Sequence, residues 1–519
     1  MNTKITEKQS NNFFAKIFSF SFFTFISRIF GLARDTVIAY KIGASAASDI
    51  FFVALKAPNF FRALFAEGAF TQAFIPIYNQ VLKKDQVSAK KFCNNIFYFM
   101  IIALTIFVIL LEIYMDKVMF LFAPGFSNEP EKFNHLVFIA RITFPYLIFI
   151  SLCCIYSAIL NSFHKYSPTA IVPIISNLFL IIGVFTLFDY TQDHVLSLAL
   201  AFVFSGIIQL IYLIYHTHKI NIKIKPQYTE ISSSEKTFSR KIIPAIIGAS
   251  IIQINIWIDT IFASMMSNVV SYYNYAERLI NLPVALVITS ITIVLLPSLT
   301  KAIQSDNKSE ISKYNKKSIH LSILLITPAA SGLFMLAMPI VFTLFSRGEF
   351  NLESTIHTAI IIKTLAVYLP AICLMRIINT NFFARSDTKT PMKVAFLLMI
   401  LNIIFNYILV KYFGYIGIAL STSIITWIGV FISFTIVSKK HGNLFKFATN
   451  ISFYLKILIA NILMIIALFY FKNNFFSDYD LNELERIVNL TILMIIGFFT
   501  YLISLICFFG SIKKLKKSF

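Results

Sequence analysis

Apolar residues along this chain come in runs near 20 residues, separated by short polar stretches, rather than in strand-like alternation. A run of that length suits a helix crossing about 30 Å of hydrocarbon. Fourteen spans are expected. The first two cover about Asn12–Tyr40 and, through an irregular stretch, Ala46–Tyr78. Four more lie near Phe92–Tyr114, Phe133–Ser162, Thr169–Phe188 and Val195–Tyr215. After a basic stretch come spans near Ile242–Met266, Ser271–Leu299, Ile319–Phe345 and Ile356–Phe383. The last four are near Met392–Val410, Ile416–Val437, Ile451–Phe471 and Ile487–Phe509.

Composition agrees: 58% of residues are hydrophobic and 13% charged, with a mean hydropathy of +0.77. A soluble fold needs a polar shell that this chain cannot supply. The net charge of +21 would otherwise suggest nucleic acid, but its distribution excludes that reading. Lys83, Lys84, Lys90 and Lys91 follow the second span, and Lys219 to Lys241 carry the basic stretch after the sixth. Lys301 to Lys317 follow the eighth, Lys439, Lys440 and Lys446 the twelfth, and Lys513 to Lys517 the last. The intervening loops hold Asp116, Glu129, Glu131, Asp189, Asp193, Asp478 and Asp480 instead. This is the positive-inside pattern, which puts both termini in the cytoplasm. The first segment lacks a small-residue cleavage site and reads as a retained helix. Cys93, Cys153, Cys154, Cys373 and Cys507 have no paired metal spacing and read as packing residues.

An internal echo organises the spans. FIPIYNQVLKKD aligns with LLPSLTKAIQSD, pairing Pro76 with Pro297 and Asp85 with Asp306. A second echo pairs Asn161, Pro168 and Asn177 with Asn381, Pro391 and Asn402. The expected domains are a six-helix lobe over 1–220, a cytoplasmic basic linker over 221–241, and a second six-helix lobe over 242–440. The last two helices and a basic tail fill 441–519. Parallel six-span halves are a transporter architecture.

Charges inside apolar spans are costly and mark candidate function. SRIFGLARD carries Arg28, Arg34 and Asp35; helical spacing puts Arg28 and Asp35 on one stripe, with Gly31 able to allow a bend. Asp49, Lys56 and Arg62 follow, and Arg278 sits beside Glu277. Arginine forks around a hydrated cavity would bind phosphate or pyrophosphate, with Asp35 and Asp49 holding them apart and oriented. The alternative is a set of interfacial or structural ion pairs. Asp259, one turn after Asn255, reads as a structural carboxylate or a proton (H+) carrier.

The block from SRIFGLARD to AFIPIY resembles the N-terminal signature of the MurJ/MviN family, YNYAERLINLP with VLLPSL its eighth-span motif, and ARSDTKTP its tenth-to-eleventh loop. The resemblance runs over nearly the whole chain. It implies an all-α polytopic fold with two six-helix lobes plus two C-terminal helices, a central cationic cavity and alternating access. The implied activity is flipping of lipid II, an undecaprenyl-pyrophosphate-linked sugar-peptide, across the bacterial inner membrane, with cell-wall synthesis machinery as a partner. The substrate-binding residues it implies are Arg28, Arg34, Arg62 and Arg278, with Asp35 and Asp49 as acidic partners. It also implies Asp259 as a candidate for Na+ coupling. This chain departs from the family pattern at Ala63 and Asn281, so no carboxylate acts at 281. No cofactor is expected. Membrane potential or an ion gradient would reset the carrier, since no GxxxxGK[ST] loop for ATP is present. Rival readings are an exporter of another amphiphile, drug or polysaccharide-lipid on the same scaffold, and a membrane-embedded lipid-sugar transferase. The short outer loops hold no catalytic constellation for the latter.

Overall fold

The structure is a computed structural model that describes residues 2–65, 68–442, 451–476 and 481–511. Helices fill it, and no strand occurs among the described residues. The chain divides into two compact units, Met1–Ser271 and Tyr272–Phe519. The first holds α1 (Asn2–Ile42), α2 (Ala46–Phe65), α3 (Gly68–Lys84), α4 (Gln86–Ile113), α5 (Met115–Phe122) and α6 (Pro130–Thr143). It continues with α7 (Tyr146–Ser162), α8 (Tyr166–Thr186), α9 (Phe188–Thr191), α10 (His194–His218) and α11 (Ser233–Ser264). The boundary falls inside α12 (Val269–Pro283). Beyond it lie α13 (Thr289–Gln304), α14 (Lys308–Leu344), α15 (Leu352–Ala366), α16 (Leu369–Phe383), α17 (Lys389–Phe413) and α18 (Ile416–His441). α19 (Ile451–Phe475) and α20 (Glu483–Phe509) complete the second unit.

The all-α, multi-span architecture is as the sequence implies. Ten segments among the described residues are long and apolar enough to cross a membrane, and α15 with α16 forms an eleventh, bent by 42°. Fourteen is thus an approximate count: α1, the pair α2 and α3, and α11 occupy the stretches expected for the first, second and seventh spans. Glu67, Lys446, Asp478, Asp480 and the tail lysines lie outside the described residues. α11, which follows the basic stretch, packs on α2 and α3 and so belongs to the first unit.

Polar residues at span ends start the helices. The Asp85 carboxylate accepts from the backbone N–H groups of Val87 and Ser88 at the head of α4. Asp193 does the same for Val195 on α10, and Asn307 for Glu310 on α14. Ser232 with Glu235, and Asn482 with Glu485, form reciprocal capping boxes on α11 and α20. Proline interrupts where bends occur. Pro283 is followed by a π-helical stretch over Val284–Ile288, and Pro370 lies in the first turn of α16, after the 42° break.

Within each unit, buried amide and hydroxyl pairs tie the helices together, as lipid offers no hydrophobic drive for packing. Ser176 on α8 meets Ser205 on α10 at 3.2 Å, Asn315 and Asn381 exchange bonds of 3.0 and 2.9 Å, and Asn402 accepts from Ser421 at 3.0 Å. α19 and α20 pack on α14 through Leu324, Leu336, Ile457, Leu468, Leu493 and Leu505. Two clasps fix that attachment: the Tyr501 hydroxyl donates to the Leu324 carbonyl at 2.8 Å, and Asn461 donates to Thr327 at 3.1 Å. Elsewhere large apolar side chains such as Phe431, Phe469 and Phe498 stand exposed, a surface that suits lipid rather than water.

Candidate functional site

Three of the candidate side chains are fixed by bonds that the first unit supplies. α1 is one unbroken helix, so Gly31 makes no break in it. Instead Gly31 is buried where α8 approaches, and a Cβ there would stand 3.6 Å from Asn177 Nδ2. Asn177 donates to the Ser27 carbonyl at 3.2 Å and accepts from Arg34 Nη1 at 3.1 Å. The remaining edge of the Arg34 fork closes on its neighbour Asp35: Nε and Nη2 reach Oδ1 at 2.9 and 2.6 Å. Arg34 is therefore a guanidinium held in one orientation by a carboxylate and an amide. Asp35 is buried, whereas Arg28 is exposed. On this continuous helix Arg28 and Asp35 keep the seven-residue spacing of one stripe, and Asp35 accepts from its neighbour Arg34.

Asp49 is fully buried and its carboxylate is saturated. It accepts from Lys132 Nζ at 3.1 Å, from the Asn268 and Ser271 backbone N–H groups at 3.0 and 2.9 Å, and from the Ser271 hydroxyl at 2.6 Å. Ser48 meets the same hydroxyl at 2.8 Å. Lys132, itself buried, also lies over the Phe126 ring at 4.0 Å. The expectation that Asp49 orients arginines is corrected by this geometry: its cationic partner is a lysine at the head of α6. Helix rise explains why. From the α1–α2 turn, Asp49 is ~5 Å along its helix, while Arg34, Arg28 and Arg62 are ~12, ~21 and ~24 Å along theirs. The carboxylate is thus a turn-proximal latch joining α2, α6 and the start of α12. Arg28 and Arg62 share a similar depth, well away from it.

The other candidates lie on α2, α11 and α12. Lys56 donates to Thr260 on α11 at 3.3 Å. Arg62 is half-buried in the last turn of α2. In the second unit, Arg278 is half-buried on α12, five residues before Pro283 and the π-helical stretch; Asn281 is exposed. Asp259 is half-buried on α11. Among the described residues, no three His, Cys, Asp or Glu side chains converge as a metal site would require. A cation at Asp259 would therefore need amide or carbonyl oxygens as its other ligands. The ARSDTKTP stretch is a helix-start device: Asp387 accepts from the Thr390 N–H and hydroxyl at 2.9 and 2.7 Å and from Lys440 at 3.1 Å.

Lys132, Ser271 and Asn268 were not legible as partners, since each sits in a short polar stretch that reads as an ordinary span end. The only signal was Asp49 itself, an intramembrane carboxylate that had to find a cation.

Comparison with known proteins gives the family of the chain. Residues 38–490 match the family described as lipid II flippase MurJ. A relative named probable lipid II flippase MurJ, from Rickettsia prowazekii (strain Madrid E), is 32% identical over 499 residues, covering 95% of this chain and 98% of its own. A solved lipid II flippase MurJ in an inward closed conformation superposes with a TM-score of 0.79 at 28% identity, covering 95% and 98% of the two chains. An inward-facing multidrug resistance MATE family transporter reaches a TM-score of 0.67 at 15% identity, covering 80% and 95%, a likeness of fold alone. With a family match over most of its length and a relative matched nearly end to end, the chain belongs to the lipid II flippase MurJ family.

Proposed function

We propose that this chain flips lipid II from the cytoplasmic to the periplasmic leaflet by alternating access. The observation that carries the reading is the family match over residues 38–490, which takes in Asp49, Arg62, Asp259 and Arg278, together with a relative matched over 95% of the chain. The chemistry fits: an amphiphile with an anionic pyrophosphate needs cations within the membrane, and this chain concentrates arginine there. Arg34 is the best-defined of these. A phosphate oxygen arriving at its fork competes with Asp35 for the same N–H groups, so the ion pair orients the guanidinium before substrate arrives and takes it back afterwards. Arg28 and Arg62 act at greater depth in the first unit, and Arg278 has the same role in the second. The role fits a transporter and calls for no catalytic group.

Binding of a prenyl-pyrophosphate sugar to purified protein tests the phosphate role. Arg34→Ala is expected to weaken it by about ten- to hundredfold, the worth of charge-assisted hydrogen bonds. Arg34→Lys should restore little, because an ammonium lacks the fork. Unchanged affinity in Arg34→Ala would remove Arg34 from the site.

The finer assignments belong to the same proposal. The chain sits in the inner membrane with both termini cytoplasmic, and its resetting step draws on the membrane potential or an ion gradient, with Asp259 as the carboxylate for coupling. Delivery of lipid II outside would bring it alongside the cell-wall synthesis machinery. Topology is checked by labelling single cysteines in spheroplasts with an impermeant reagent: Tyr190→Cys should react and Lys84→Cys should not. The reverse pattern would invert the orientation.

A further inference from the structure

Within the first unit, a cavity of about 810 Å³ opens between α3, α4 and α11. Its walls are apolar over most of their length, with Phe70, Phe99, Met100, Phe107 and Ile246 among the lining residues. Along α4 the lining runs from Ile96 to Phe107, eleven steps or ~17 Å of helix, close to half of a bilayer's ~30 Å hydrocarbon thickness. One end is different in kind. There the first turns of α11 bring Lys236, Ser239 and Arg240, all exposed, to the mouth. Two carboxylates lie at that end: Glu235 is engaged by Asn95 at 2.9 Å, by the Ser232 N–H at 3.0 Å and by the Ser232 hydroxyl, and Glu230 lines the neighbouring cavity. A second cavity of about 780 Å³ shares Glu235 and adds Lys83, Lys84 and Lys91 to the same end.

We propose that this groove holds an anionic phospholipid of the cytoplasmic leaflet, with one acyl chain along α4 and the phosphate at Lys236 and Arg240. Three observations select that occupant. The apolar walls are one leaflet deep, the length of a single acyl chain. The charge at the open end is basic, which favours an anionic over a zwitterionic head. The basic end lies at the start of α11, beside the lysine-rich stretches that the positive-inside pattern puts in the cytoplasm. A polyprenyl tail, several times longer than one leaflet is deep, would leave most of its length outside. The proposal concerns a resident membrane lipid and rests only on the topology given above, not on the flipping reaction.

The test places a tryptophan on the groove wall, Phe99→Trp, in the full chain reconstituted in bilayers. Quenching by acyl-brominated phospholipids is read as the difference from the parent protein, whose tryptophans are Trp257 and Trp427. Brominated phosphatidylglycerol is expected to associate severalfold more strongly than brominated phosphatidylcholine at the introduced indole. That preference should vanish in Lys236→Gln/Arg240→Gln and persist in Lys313→Gln/Lys317→Gln, which removes two exposed lysines of α14. Equal quenching by the two lipids overturns the proposal. So does a preference that survives Lys236→Gln/Arg240→Gln, or one that Lys313→Gln/Lys317→Gln removes equally, which would mark general surface charge. Relief of quenching by a prenyl diphosphate at low mole fraction would assign the groove to a prenyl tail instead. Unchanged Trp257 and Trp427 emission keeps each variant interpretable, and no outcome bears on lipid II transport.

Discussion

At the scale of single residues, the ionisable groups in the spans fall into two geometries, which suit two separate purposes. Asp49 and Lys132 form a buried pair whose remaining bonding capacity is taken up by Ser271, Asn268 and the Phe126 ring. Removing one partner leaves an uncompensated buried charge, which costs about 3–5 kcal/mol. Asp49→Ala and Lys132→Met should each destabilise the protein by that order in reversible unfolding from bicelles, and the double variant by clearly less than their sum. Additive losses would mean the two charges do not compensate each other. Arg34, by contrast, is held by groups that leave it partly exposed, as a ligand-binding cation needs. Sequence could not separate these purposes. Asp49 and Asp35 look alike in an apolar run, and only depth along the helix and the partner across the unit distinguish a latch from an orienting group. The pairing of Arg34 with Asp35 was hidden for a different reason: helical stripes track Cβ directions, while an arginine fork can return to the next residue.

At the scale of elements, the span positions were legible from the hydropathy breaks, and several apolar runs are also bounded by a start signal. Asp85, Asp193 and Asn482 stand where hydropathy turns, and each caps a helix. Less legible were the interruptions. The broken α15–α16 span and the π-helical stretch after Pro283 do not change hydropathy, so a period-based reading passes over them. The internal echo is also displaced in its details: Asp85 caps α4, but in the second half the cap is Asn307 rather than Asp306. Asp387 at the head of α17 gives a pH-dependent consequence outside the membrane. Partial burial favours its protonated form, but bonds from the Thr390 hydroxyl and N–H and from Lys440 outweigh it and hold the carboxyl at about 2. A lowered folded value means the cap is intact above the ordinary carboxylate range and is lost as pH falls towards about 2. Exchange protection of the Thr390 amide, corrected for intrinsic rates, should therefore fall between about pH 4 and 2. It should be weak at every pH in Asp387→Ala. Protection that is flat across that window would contradict the assignment.

At the scale of the whole molecule, composition was enough to give a multi-span helical membrane protein, the internal echo added a transporter architecture, and the long N-terminal block was enough to suggest the family. What a run of letters did not carry was how α11 associates. It follows the basic stretch yet packs with the first unit, because its partners α2 and α3 come from distant sequence. The most direct test of the central claim is the exposure of lipid II headgroups to an impermeant probe in spheroplasts depleted of their own flippase. Expression of this chain should restore exposure, while Arg34→Ala, inserted in the membrane at the same level, should leave lipid II inside. Full restoration by Arg34→Ala, or failure of the inserted wild-type chain to restore exposure, would contradict flipping through an arginine-held pyrophosphate.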